Sequence, residues 1–108
     1  MSKKDKKQKD IYFTLTGTAY RYGTDFLKPD MKLSLVKEPD NKFDKEAIRV
    51  ELEGMGCIGY VANSVNTVKG ECLSAGRLYD KIGKKASGRV LYIFERGAIC
   101  KISKKDLI

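Results

Sequence analysis

Hydrophobic and polar positions alternate along most of this chain with the two-residue period of strands rather than the 3.6-residue period of helices. Residues 11–20 (IYFTLTGTAY) are dense in β-branched and aromatic side chains and predict a first strand. Phe13, Leu15 and Gly17 share one face of it, and Tyr12, Thr14 and Thr16 the other. Gly23 and Pro29 punctuate a loop over residues 21–30. Met31, Leu33 and Leu35 then alternate with Lys32 and Ser34, which predicts a half-buried strand over 31–38. A polar turn leads into a strand at 46–53 with Ile48, Val50 and Leu52 pointing one way. Gly54 and Gly56 bracket a tight connection to a short buried strand at 57–62.

One stretch has helical spacing. Val65, Val68, Cys72 and Leu73 form an apolar stripe, predicting a helix from Asn63 or Ser64 to about Ser74 with Gly76 as its C-cap. Gly70 works against it, since glycine costs about 1 kcal/mol relative to alanine inside a helix. Residues 77–85 offer at most a further turn of helix. Residues 86–95 and 98–103 predict a hairpin around Arg96-Gly97, and Leu91 to Phe94, apolar on both faces, predict a strand covered on both sides. Together these elements predict a mainly β protein: a small barrel of the OB or SH3-like kind, with about six strands and one or two short helices.

Composition narrows the function classes. A length of 108 residues fits a single domain over 11–108 behind a disordered basic tail at 1–10 (MSKKDKKQKD). No apolar run reaches the roughly 20 residues of a membrane helix, and no apolar segment follows the first lysines as in a secretory signal. The three cysteines, Cys57, Cys72 and Cys100, are widely spaced and read as reduced, buried thiols in a cytoplasmic protein. The chain contains no histidine, which removes the usual general base near neutral pH and the usual zinc ligand. No phosphate-loop, dinucleotide or EF-hand pattern occurs; Pro39 and Phe43 break the acidic run that could suggest calcium. The expectation is therefore a non-enzymatic protein without metal or cofactor.

The net charge of +8 is unevenly spread. Residues 1–10 carry +3, residues 11–76 carry −1, and residues 77–108 carry +6. Such asymmetry is compatible with a polyanionic partner.

The run EPDNKFDKEAIRV (38–50) is the most unusual stretch. A turn uses Pro, Asp and Asn; it has no need of Phe43. Taken with GTAYRYG (17–23), LSLVKEPDNKFDKEAIRV (33–50) and IGYV (58–61), it resembles the HIRAN domain family. The resemblance covers about residues 11–80. It implies an OB-like barrel that captures the 3′ end of single-stranded DNA, with aromatics stacking on the terminal base and an Asp accepting a hydrogen bond from the free 3′-hydroxyl. On this resemblance Asp44 matches the hydroxyl-binding Asp, Asn41 a pocket-lining Asn, Phe43 an aromatic that is usually Tyr, Tyr20 a stacking Tyr, and Tyr60 the aromatic or His after Ile-Gly. Three positions depart from the pattern. Arg21 stands where a second stacking Tyr can occur, with Tyr22 one place later; Phe43 lacks the phenol hydroxyl; Asn63 stands where a phosphate-binding Lys is expected. Arg21, Lys37, Lys42 and Arg49 are close enough in sequence to supply phosphate contacts. Two further readings remain: a protein-interaction adaptor that keeps the barrel without DNA affinity, and a targeting subunit for a separate helicase or nuclease.

Overall fold

A computed structural model describes residues 9–108. The predicted tail over 1–10 thus lies, for residues 1–8, outside the described residues. Six strands, β1 (Tyr12–Thr16), β2 (Lys32–Lys37), β3 (Ile48–Leu52), β4 (Gly56–Val61), β5 (Lys85–Phe94) and β6 (Gly97–Ile102), form a closed antiparallel barrel in the order β1-β4-β3-β2-β5-β6. This is the predicted fold class. One short helix, α1 (Ala75–Tyr79), and two 3₁₀ turns, Thr18–Tyr20 and Lys104–Asp106, complete it.

The alternating residues fill the barrel. Phe13 and Leu15 of β1, Leu33 and Leu35 of β2, Ile48 and Val50 of β3, Ile58 of β4, Val90 of β5 and Cys100 and Ile102 of β6 are all fully buried or nearly so. Leu78 of α1 and Ile82 are buried in the same core. Truncating any of these large aliphatic side chains to alanine is expected to cost about 2–5 kcal/mol. Gly59 permits the close approach of β4 to β1: a Cβ there would lie 2.5 Å from the Thr16 carbonyl oxygen.

The predicted helix over 63–74 is absent. Turns occupy residues 64–67, and Gly70 adopts the left-handed region with φ +51, which ends any helix at that point. Val68, Cys72 and Leu73 of the apolar stripe are partly buried, but by a different structure. The Leu73 N–H donates to the Tyr12 carbonyl at 2.8 Å, and the Lys69 N–H to Thr14 Oγ1 at 3.0 Å. The segment is thereby laid along the outer face of β1, which explains why Thr14 is buried as well as Phe13. Val65, assigned to the stripe, is 94% exposed. The helix begins where it was expected to end: Ser74 is the N-cap, accepting from the Arg77 N–H at 3.3 Å, and Gly76 lies inside α1 rather than beyond a C-terminus.

The end of β5 also differs from expectation. A bulge between Val90 and Tyr92 shifts the register against β6, leaving Tyr92 69% and Ile93 37% exposed, so that part of the strand is not covered on both sides. Of the cysteines, Cys100 is buried while Cys57 and Cys72 are half-buried; burial pushes the Cys100 thiol up to about 12, which makes it a small hydrophobe.

Candidate functional site

The run 38–47 folds as a turn held from within. Asn41 Oδ1 accepts from the N–H groups of Phe43 (2.8 Å) and Asp44 (3.0 Å). Asp44 Oδ1 accepts from the Glu46 N–H at 2.9 Å, and the Glu38 and Ala47 backbones close the base. Asn and Asp are suited to this because their short side chains bond the backbone two or three residues on. On this internally bonded turn Phe43 is 97% exposed.

Glu38 is the hub beneath the turn. Its carboxylate accepts from Asn41 Nδ2 at 2.9 Å, from the Tyr60 hydroxyl at 3.0 and 3.2 Å, and from Arg49 Nη1 at 2.8 Å. Arg49 Nε in turn donates to Glu51 at 2.7 Å. The strand register sets this up by placing Val36 opposite Arg49 and Arg49 opposite Tyr60. Partial burial opposes ionisation of Glu38, but the bonds from Asn41, Arg49 and Tyr60 outweigh it and hold the carboxyl below its ordinary range. The Tyr60 phenol is pushed up by burial and by the Glu38 carboxylate to which it donates.

Asp44 reaches across the site. Its Oδ2 accepts from Asn63 Nδ2 at 2.9 Å, and Asn63 Oδ1 accepts from the Gly76 N–H at 2.8 Å. The turn is thus tied to the segment after β4 and to α1. Asn41, Asp44 and Tyr60 are linked in one network: Glu38 accepts from Asn41 and Tyr60, and Asn41 Oδ1 accepts from the Asp44 N–H. Arg21 approaches Tyr60 closely enough for its charge to act on the phenol. Tyr20, 91% exposed, sits on the 3₁₀ turn, which is anchored by Thr18 Oγ1 donating to the Arg96 carbonyl at 3.1 Å. Tyr22 is set apart. It packs edge-on against Phe26 and its hydroxyl lies 3.5 Å from the Met55 carbonyl at the β3–β4 tip. That tip is three residues of β3 beyond Arg49, roughly 10 Å.

Two of the candidate phosphate contacts are already engaged: Arg49 by the glutamates, and Lys37 by the Ile82 carbonyl at 2.8 Å with its amine over the Tyr79 ring. Arg21 and Lys42 are exposed. Sequence reasoning missed an open groove of about 790 Å³ beside Tyr20, lined also by Thr16, Asn66, Lys69, Phe94 and Arg96. The Lys69 amine lies 5.4 Å from the centre of the Phe94 ring. The available signal was Phe94 followed closely by Arg96, but the sequence pattern assigns the one to a covered strand and the other to a hairpin turn. Among the described residues no group of three or more Cys, Asp or Glu side chains is placed to hold a metal ion, and no helix among them is long and apolar enough to cross a membrane.

A closed six-strand antiparallel barrel of this kind is an OB-like fold. More specifically, the HIRAN domain model matches residues 8–95, and the chain belongs to the HIRAN family, a family of DNA-binding domains. Its fold is similar to the crystal structure of the HIRAN domain of human HLTF, with a TM-score of 0.55 and 19% identity, covering 86% of this chain and 74% of that one. No curated protein matches the chain significantly.

Proposed function

We propose that this protein binds single-stranded DNA and prefers a free 3′-hydroxyl end. The observation that carries the reading is the pairing of Phe43, wholly exposed on a rigid turn, with Asp44 held next to it by two hydrogen bonds. An exposed ring on a fixed backbone is presented for stacking on a base, worth about 1–3 kcal/mol for any sequence. An ionised carboxylate has about four lone-pair sites, and Asp44 uses two, so it can still accept from a hydroxyl. It repels a terminal phosphate.

The other residues take supporting roles in this reading. Asn41, Glu38, Arg49 and Tyr60 position the turn. Tyr20 offers a second stacking surface, and Lys69 and Arg96 in the adjoining groove offer phosphate contacts for the preceding nucleotides. Tyr22 lies outside this path. A role in DNA repair or processing, beside a helicase or nuclease, follows as the setting for such a module.

The test compares one oligonucleotide ending in a 3′-hydroxyl with the same strand ending in a 3′-phosphate, by fluorescence anisotropy. Tighter binding of the hydroxyl end is expected. Equal affinity for both ends contradicts end capture, and no binding to either contradicts nucleic-acid binding.

A further inference from the structure

On the face of the barrel away from the turn, the strand register sets cations against cations. Lys32 of β2 lies opposite Arg89 of β5, and Arg89 lies opposite Lys101 of β6. Three basic residues therefore form one row across three adjacent strands. Like charges directly opposite on neighbouring strands destabilise a sheet, so folding gives no reason for the row. The site face is built the other way: there Arg49 meets Glu38 and Glu51.

The acidic residues nearby offset the row only in part, with Asp106 close enough for its charge to act on Lys32. Asp10 is shared between Lys101 (3.6 Å) and Lys104 (3.2 Å). Asp106 is occupied by the Ser87 N–H and hydroxyl, at 2.8 and 2.7 Å. Asp30 offers its backbone carbonyl to Arg89 at 2.9 Å. A shallow depression of about 420 Å³ opens beside the row, lined by Asp30, Arg89, Leu91, Lys101, Ser103 and Lys104. Asp10, near the start of the described residues, lies next to it.

We infer that Lys32, Arg89 and Lys101, with Lys104, form a second contact surface for the phosphodiester backbone of nucleic acid, separate from the end site. The inference rests on the nucleic-acid reading above. The row spans about 10 Å across the sheet, over which a B-form duplex presents about six charges. Lys32 lies six residues along the chain from Glu38, about 20 Å of extended strand, so the terminal nucleotide at Asp44 does not reach it. The row holds phosphates further along the strand, or those of an adjoining duplex.

The test measures affinity against salt for the full chain and for an Arg89→Gln/Lys101→Gln variant. The probes are a tetranucleotide, a single strand of about 20 nucleotides, and a duplex with a 3′ overhang. For the long strand, the slope of log K against log salt is expected to fall by about 1.4, and by about 0.7 for Lys32→Gln. The weakening is equal for 3′-hydroxyl and 3′-phosphate ends, so the end preference is unchanged. A drop confined to the duplex probe identifies duplex phosphates as the ligand and also supports the inference. An unchanged slope on both long probes, or the same drop on the tetranucleotide, overturns it. A reduced slope with no end preference in wild type overturns only the end reading, whereas an end preference present in wild type and lost in the variant overturns the separateness of the row. Relief of the mutual repulsion offsets loss of the Arg89–Asp30 and Lys101–Asp10 contacts, so a cooperative melt near the wild-type midpoint is expected and shows that the variants are folded.

Discussion

Asn63 and Asp44, nineteen residues apart, meet through a 2.9 Å bond from Asn63 Nδ2 to Asp44 Oδ2. The Asn63 carbonyl oxygen is taken by the Gly76 N–H, so one amide fixes both the carboxylate and the start of α1. A lysine here would place a cation beside Asp44 and offer a phosphate contact. Asn63→Lys is expected to tighten single-strand binding and steepen the salt slope by about 0.7. It loses the bond to Gly76, at a cost of about 1 kcal/mol in stability. Anisotropy titrations at two salt concentrations and a thermal melt check both parts. An unchanged slope would mean that position 63 does not face the backbone.

Phe43 separates stability from binding. Because the ring is exposed, Phe43→Ala is expected to leave stability within about 0.5 kcal/mol of wild type. Losing a stacking partner should nonetheless weaken binding by about 1–3 kcal/mol. Denaturant unfolding and oligonucleotide titration of the same variant test this. A variant that binds normally removes Phe43 from the site.

Much of the fold was legible because burial on one face writes a period of two into the sequence. Leu33 and Leu35 against Lys32 and Ser34 placed β2 almost to the residue. The error at 63–74 had a physical origin: Val68, Cys72 and Leu73 do lie partly buried, but spacing cannot tell a helix from a turn-rich segment bonded to β1. The site was legible only in part. Asn41, Phe43 and Asp44 stood out in the run, whereas Glu38 gave no sign that it would collect three donors from three elements. That role depends on β3 and β4 register, which no local pattern carries. The same holds for the Lys32–Arg89–Lys101 row.

Glu38 gives the network a pH signature. Its folded-state pKa lies below its ordinary value of 4.5, so the stabilisation is fully present above that value and is lost as pH falls through the lowered one. The thermal midpoint of wild type is expected to hold from about pH 7 to 5 and fall below that. Glu38→Gln should melt lower at neutral pH, with the gap to wild type closing in acid. A gap independent of pH would show that the Glu38 charge contributes nothing.

The account depends most on Asp44 touching the terminal hydroxyl. The direct measurement is the ratio of affinities for 3′-hydroxyl and 3′-phosphate strands in wild type and in Asp44→Ala, with a melt of each to confirm folding. Wild type is expected to favour the hydroxyl end by about tenfold or more, equivalent to about 1.4 kcal/mol, and Asp44→Ala to bring the ratio close to one. An Asp44→Ala protein that keeps the wild-type ratio would contradict the account.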